Sequence, residues 1–257
     1  MPEKHRIRDF NKSEGMDDFA PYNILQIFHG KHGKNNRLVF KILASNNPMT
    51  RWELAKSKLM SQSKSKEHPS YKEVQTVASV MFRRIDELEK NGFIEKKGTR
   101  SNKGSVVPSY GLTFKGLIAI MASDTGMWDD IDEIVRKQRN LLPEYFDLWD
   151  SFDRLEVKDI AVRNLKHAVS IRKNSKPIFP YVIDNRIPTM KDFFLAYSVC
   201  LPSTASDNDE KRWIKAAVSD KQLYNMIMHV MKRFYESYTR SASIWKKQYD
   251  EWSKARK

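Results

Sequence analysis

The sequence is poor in the residues that build disulfide frameworks, flexible linkers and membrane spans. Its 257 residues include one cysteine, Cys200, which excludes an intrachain disulfide and leaves too few thiolates for a zinc ribbon. The chain contains only 9 Gly and 10 Pro, and 40% of its residues are hydrophobic. This composition is typical of a chain that folds. It has no run of about 18 apolar residues for a membrane span. Its N-terminus lacks the apolar core of a secretory signal, which predicts a cytoplasmic protein.

Recognisable enzyme motifs are also missing. The 6 His are scattered, and we find no phosphate-binding loop, dinucleotide fingerprint, H-E-x-x-H or G-x-S-x-G. The acids Asp129, Asp130, Asp132 and Glu133 could bind a metal, but acids at a helix start are better explained by the helix dipole. We therefore predict no catalytic residue, cofactor or metal, with Mg²⁺-dependent nuclease chemistry as the strongest enzymatic alternative.

What the sequence does contain is positive charge. Its 46 Lys and Arg exceed 32 Asp and Glu, giving +14 and a pI near 9.7, which favours a polyanionic partner. Residues 31–115 hold 18 Lys and Arg against 7 acids, a net +11, whereas residues 124–257 hold 24 against 20. This shift predicts a basic extension over 1–35, a basic domain over 36–123 and a nearly balanced domain over 124–257.

The basic domain carries helix signals in a clear order. RLVFKILAS has apolar residues at helical spacing, and Thr50 with Glu53 forms a capping box at the head of the next helix, which should end near Met60. A polar loop, Ser61 to Pro69, follows. Ser70 and Glu73 then form a second capping box before a long helix, 70–91, which Gly92 should terminate.

After Gly92 the spacing of the hydrophobic residues is no longer helical. FIEKK and VVPSYGLT are short and β-branched enough to form two strands on either side of GTRSNKG, a basic turn predicted over Gly98 to Gly104. Lys96 and Lys97 would end the first strand. Thr113 should then cap a further helix.

In this order, NPMTRWELAKS, LEKNGFIEKK and SYGLTFKGLIA resemble a winged helix-turn-helix DNA-binding domain of archaeal and bacterial transcription regulators, over roughly residues 36–123. The resemblance implies that helix 70–91 is the recognition helix and that the basic turn is the wing. One departure is the nine-residue loop before this helix, where the family usually has three or four. That loop is either a DNA contact itself or a sign of unusual docking.

The residues expected to contact DNA combine short polar side chains on the long helix with cations of the wing and loop. Gln, Thr, Ser and Arg can reach base edges, and a cation of the wing can enter the minor groove. The predicted set is Arg51, Lys64, Lys66, Tyr71, Lys72, Gln75, Thr76, Ser79, Arg83, Arg100 and Lys103.

The second half is predicted to be all helical, with Phe179, Tyr181 and Ile183 in a proline-rich connection that could line a pocket. Its terminal helix carries a heptad-like stripe that packs on the chain's own helices, forms a homodimer interface, or lines an effector cavity. The stripe consists of Tyr224, Met228, Met231, Tyr235, Tyr238, Ala242, Trp245, Tyr249 and Trp252.

The predicted fold class is therefore mainly α, with a winged helix-turn-helix domain of three helices and a β-hairpin followed by an all-α domain with a long terminal helix. Two functions fit this reading. The first is a homodimeric DNA-binding transcription regulator. The second is a chromatin, replication or RNA-associated adaptor that uses the same domain for general nucleic-acid or protein contacts.

Overall fold

The computed structural model describes residues 25–62, 69–102, 105–174, 190–199 and 206–254. The chain divides into two compact units, Asn23–Asp147 and Leu148–Lys257. The described residues are mainly helical, with one small three-stranded antiparallel sheet. The predicted mainly-α class is confirmed at this level.

Three helices begin the first unit: α1 (Gly33–Ala44), α2 (Arg51–Gln62) and α3 (Tyr71–Lys90). A 3-10 turn, Gln26–Phe28, precedes α1. A Cβ at Gly33 would lie 2.0 Å from the Phe28 backbone oxygen, so this close crossing requires glycine. The helix thus starts before the RLVFKILAS segment that signalled it.

Both predicted capping boxes are present. At α2 the Thr50 amide donates to Glu53 Oε2 at 2.7 Å and the Glu53 amide donates to Thr50 Oγ1 at 3.2 Å. At α3 the Ser70 amide donates to Glu73 Oε2 at 2.7 Å and the Glu73 amide donates to Ser70 Oγ at 3.4 Å. These bonds satisfy amides that a helix start leaves unpaired and so fix where α2 and α3 begin.

The sheet contains β1 (Met49–Thr50), β2 (Ile94–Asn102) and β3 (Ser105–Leu112) in the order β1-β3-β2. β2 and β3 pair from Ile94↔Leu112 to Asn102↔Ser105, with an irregularity between Lys96 and Gly98. The predicted turn over Gly98 to Gly104 is therefore wrong, because the strand continues through Gly98 and only residues 103–104 separate the strands.

The turn was misplaced because the outer part of β2 is polar and exposed, and so gives no alternating pattern. The strand β1, only two residues long and directly after Pro48, was not predicted. It pairs with β3 through Met49↔Tyr110 and Thr50↔Ser109.

The helix α4 (Phe114–Ser123) follows the hairpin and packs against α1 and β3. Thr113 Oγ1 accepts from the Gly116 amide at 3.1 Å, which confirms the predicted cap. A Cβ at Gly116 would lie 2.1 Å from the Phe93 backbone oxygen, so the helix approaches the start of β2 as closely as glycine allows. The core beneath these elements contains Phe40, Leu43, Leu54, Ile85, Leu88, Ile94, Tyr110 and Leu112.

The first compact unit extends to Asp147, beyond the predicted domain end at residue 123. It adds α5 (Ile131–Gln138), α6 (Pro143–Phe146) and two 3-10 turns, Thr125–Trp128 and Arg139–Leu141. The buried Gln138 Nε2 donates to the Leu43 and Ala44 carbonyls at 2.9 and 3.0 Å, which satisfies acceptors at the end of α1.

This longer unit changes the charge distribution inferred from sequence. Residues 23–147 hold 21 Lys and Arg against 14 acids, a net +7, while residues 148–257 hold 21 against 13, a net +8. The second unit is therefore as basic as the first. Net charge alone does not single out which unit binds a polyanion.

In its described part the second unit contains only helices: α7 (Trp149–Arg154), α8 (Lys158–Asn174), α9 (Met190–Val199), α10 (Asp207–Ser219) and α11 (Lys221–Lys254). Trp149, Phe152 and Trp213 form an aromatic cluster, with Phe152 5.7 Å from Trp213 and 6.0 Å from Trp149 between ring centroids. The proline-rich connection with Phe179, Tyr181 and Ile183 lies outside the described residues.

The buried face of α11 is not the predicted stripe. Leu223, Met226 and Val230 are buried, whereas the described large side chains of the stripe are exposed by 47–69%. These members, which are Tyr224, Met228, Met231, Tyr235 and Tyr249, are therefore not part of the buried core of the unit. The side chains of Tyr238, Trp245 and Trp252 lie outside the described set.

Candidate nucleic-acid interface

The two long faces of α3 differ sharply in chemistry. One is the buried stripe of Val74, Ala78, Met81, Ile85 and Leu88. The opposite face is exposed and carries four of the predicted contact residues at spacings of four, three and four, which places them on one strip of the helix. These residues are Lys72, Thr76, Ser79 and Arg83.

The hydroxyl groups of this strip form hydrogen bonds within α3. Thr76 Oγ1 donates to the Lys72 carbonyl at 3.0 Å, and Ser79 Oγ donates to the Thr76 carbonyl at 2.9 Å. Each hydroxyl keeps its acceptor lone pairs and can rotate to donate elsewhere. Gln75, also exposed, lies beside the strip.

The cations of the strip have no acidic partner among the described residues. Within residues 25–62 and 69–102, no carboxylate lies within 4.0 Å of Lys72 or Arg83, although neighbouring arginines of the same unit are paired. Arg84, one residue further along α3, pairs with Glu87. Lys72 and Arg83 can therefore meet a phosphate or a base edge without first breaking an ion pair to another described residue.

Tyr71 begins α3 and packs against α2. Its ring lies 4.9 Å from the Trp52 ring, between centroids, at an interplanar angle of 36°, yet 70% of the residue is exposed. The contact fixes the ring while leaving most of its surface accessible. A Tyr in this position can present its hydroxyl to a sugar or phosphate.

Arg51 lies in an internal network instead of extending into solvent. It forms an ion pair with Asp86, donates to Tyr110 Oη at 3.2 Å and lies 5.5 Å from the Phe82 ring centroid and 5.2 Å from that of Tyr110. The side chain thus joins α2 to α3 and β3. Sequence reasoning had no signal for this, because its partners are 35 and 59 residues away.

Arg100 is also engaged within the unit. Its Nη1 lies 2.6 Å from Glu53 Oε1, and its Nη2 donates to the Pro48 carbonyl at 2.8 Å. Since the other oxygen of Glu53 accepts the Thr50 amide, one carboxylate both caps α2 and anchors the hairpin. The arrangement sets the position of the hairpin relative to α2 and α3.

The remaining predicted cations lie outside the described residues. Lys103 belongs to the two-residue connection of the hairpin, and Lys64 and Lys66 belong to the segment between α2 and α3. The described ends of these segments are Asn102 and Ser105 for the hairpin, and Gln62 and Pro69 for the loop.

A cleft of about 530 Å³ beside α3 adds a residue that the sequence did not indicate. Lys58, from α2, lines it together with Ser79, Arg83, Arg84 and Glu87. Burial lowers the pKa of the Lys58 ammonium, since desolvation disfavours its charged form. Lys58 was missed because only the folding of α2 against α3 brings it near the predicted strip.

Other kinds of site find less support in the described residues. No group of three or more His, Cys, Asp or Glu there could hold a metal ion. Glu133, one of the clustered acids, is instead paired with Arg136, which lowers the pKa of its carboxyl. None of the helices described has both the length and the apolar character needed to cross a bilayer.

Comparisons of the chain with protein-family models, with curated proteins and with solved structures find no match. The geometry of α3 and the hairpin is therefore the basis on which a function can be inferred.

Proposed function

We propose that the first unit is a winged helix domain that binds double-stranded DNA, and that the protein is a DNA-binding transcription regulator. The observation that carries this proposal is the outward strip of α3. It combines short hydroxyl side chains with two cations that have no acidic partner in the described part of the chain. Arg and Lys neutralise phosphates or bind guanine, and Gln, Ser and Thr reach other base edges.

The order of elements supports the winged helix assignment. Three helices are followed by a hairpin of two antiparallel strands, and the short strand β1 joins the same sheet between α1 and α2. In such a module the third helix enters the major groove while the hairpin lies along the backbone. The 20 residues of α3 correspond to about 30 Å of helix, ample for the contact surface of one groove.

Within this proposal the residues divide into two roles. Lys72, Gln75, Thr76, Ser79 and Arg83 contact DNA directly, with Tyr71 at a sugar or phosphate. Arg51 and Arg100 position α2 and the hairpin through their acidic partners. Lys64, Lys66 and Lys103 remain predicted phosphate contacts.

The experiment that tests the function is a selection from random-sequence double-stranded DNA with the full chain, in the presence of single-stranded DNA and RNA competitors. A regulator should enrich a defined site that it binds at least about 10³-fold more tightly than unrelated duplex. Binding without enrichment would instead indicate the general nucleic-acid adaptor. Absence of duplex binding at moderate salt would contradict the proposed regulator.

A further inference from the structure

The second unit exposes an apolar surface on two consecutive helices. On α11 the exposed members occupy the stripe predicted from sequence, and on α10, which packs against α11, two more are exposed by 53% and 74%. Contiguous exposed apolar side chains of this size mark an interaction site, whereas isolated ones do not. The described members are Ile214, Val218, Tyr224, Met228, Met231, Tyr235 and Tyr249.

The helix α11 also continues well beyond the part that its own unit covers. Val230 is the last buried residue among the described side chains of α11, and none of those from 235 to 254 is buried. An isolated helix of about 20 residues is only marginally stable in water. Covering the exposed stripe of this part with a partner surface would therefore stabilise it.

We propose that the partner is a second copy of this chain, with the two α11 helices packed antiparallel about a two-fold axis near Ser241. The proposal does not depend on DNA binding. An isologous pair of this kind uses the same stripe on both copies. One edge of the stripe is already occupied, since Val230 is buried and Phe234 is partly buried within the unit, so only the other edge is free to flank the contact.

The charges on the free edge favour the antiparallel orientation. At 100° per residue, Lys232, Glu236, Lys246 and Asp250 all lie on that edge. A two-fold axis at Ser241 brings together residues that lie equally far on either side of it. Lys232 then meets Asp250 of the second copy, nine residues from the axis, and Glu236 meets Lys246, five residues from it.

These matches occur twice by symmetry and give four contacts between opposite charges. They matter because the unit carries a net +8, so an approach that left like charges facing would be repulsive. Within one copy Lys232 lies 3.9 Å from Glu236, but such an exposed pair contributes little and leaves both groups available.

An axis at Ser241 places residues 228–254 of one α11 opposite the same segment of the second copy. The described members of the stripe that this contact covers are Met228, Met231, Tyr235 and Tyr249.

The test is the oligomeric state of the full chain by analytical ultracentrifugation, with circular dichroism to verify helix content. We expect a dimer for the native chain and at least about tenfold weaker association for Lys232→Glu, which faces Asp250 of the second copy with a like charge. The control Lys247→Glu makes the same charge change on the side of α11 away from the stripe, and should leave the dimer intact. The double variant Lys232→Glu/Asp250→Lys should restore it.

Orientation is tested by cross-linking in a Cys200→Ser background. Ala242→Cys, beside the axis, should form a disulfide-linked dimer on oxidation, whereas Met228→Cys should not, because antiparallel helices hold the two copies of that position far apart. A native chain that stays monomeric up to about 100 µM would overturn the proposal. So would equal effects of Lys232→Glu and Lys247→Glu, failure of the charge swap to restore the dimer, or cross-linking through both cysteines.

Discussion

At the scale of single residues, Glu53 decides how the hairpin is held. It caps α2 through one oxygen and binds Arg100 through the other, so it couples a helix start to the hairpin. Neither residue needs to touch DNA for both to affect binding. Whether one substitution raises or lowers the DNA affinity distinguishes this positioning role from a direct contact by Arg100.

Glu53→Gln keeps the capping geometry, because Gln also serves at this position of a capping box, but it weakens the charged contact with Arg100. If Arg100 positions the hairpin, DNA affinity should fall several-fold by fluorescence anisotropy, even though the protein loses a negative charge. If Arg100 itself contacts phosphate, the same substitution releases it and tightens binding. Arg100→Ala and the double variant should then show that the two effects are not additive.

Gly116 provides a second residue-scale prediction, concerning stability. Alanine ordinarily gains up to about 1 kcal/mol over glycine in a helix, but here its Cβ would meet the Phe93 backbone oxygen at 2.1 Å. We expect Gly116→Ala to lower the free energy of unfolding by about 1–3 kcal/mol, measured by urea denaturation. Gly98→Ala is the control, since its Cβ would meet only the Ser109 hydroxyl, at an ordinary 3.5 Å, and should change stability by less than about 1 kcal/mol. Equal losses of stability in the two variants would show that the backbone where α4 crosses the start of β2 shifts to accommodate the Cβ at position 116.

At the scale of elements, α3 is the best-specified part of the unit. Its capping box, its apolar stripe and Gly92, which has a φ of +69°, all agree in sequence and in structure. Ser70→Ala should destabilise the unit by about 1 kcal/mol in thermal denaturation, because the Glu73 amide loses its acceptor, the Ser70 hydroxyl. Ser79→Ala, on the same helix but without a capping role, should leave stability unchanged or slightly higher.

The same cap predicts a pH dependence. Hydrogen bonds from Ser70 lower the pKa of the Glu73 carboxyl below its ordinary value. A lowered pKa contributes stability above the unfolded-state pKa of Glu, and that contribution is lost as the pH falls through the lowered value. The difference in melting temperature between the native chain and Ser70→Ala should therefore shrink in acid. A constant difference down to the lowest pH would contradict this linkage.

Other elements could not be placed from sequence, for identifiable reasons. The helices were found because caps and apolar periodicity are local signals. The outer half of β2 is exposed and polar, so its strand character depends on pairing with β3, and β1 is too short to leave a pattern. Of the candidate site, the strip on α3 was predictable from spacing alone. The ion pairs of Arg51 and Arg100 were not, because each depends on partners far along the chain.

At the scale of the whole molecule, the unit boundary is the main difference from expectation. Residues 124–147 change in composition from the basic segment before them, which suggested a new domain at 124. Gln138 nevertheless binds carbonyls at the end of α1, and the acids of this stretch reduce the net charge of the first unit to +7. A composition shift marks a change of surface chemistry and need not mark a change of unit.

The function proposed for the whole chain combines a DNA-reading unit with a self-associating one. Two copies joined through α11 would carry two α3 helices, as a regulator that binds two half-sites requires. The two proposals are tested independently, because ultracentrifugation measures the dimer and a binding assay measures the DNA contact.

The most direct test of DNA recognition by α3 is the affinity of the full chain for a labelled duplex, measured by anisotropy over a range of salt concentrations. Lys72→Glu/Arg83→Glu should lower affinity by at least about tenfold and reduce the salt dependence by about two phosphate contacts. The control Arg240→Glu/Lys247→Glu makes the same charge change on α11, away from the stripe, and should alter affinity by less than about threefold. Equal losses in both variants, or no loss in the first, would contradict recognition through α3.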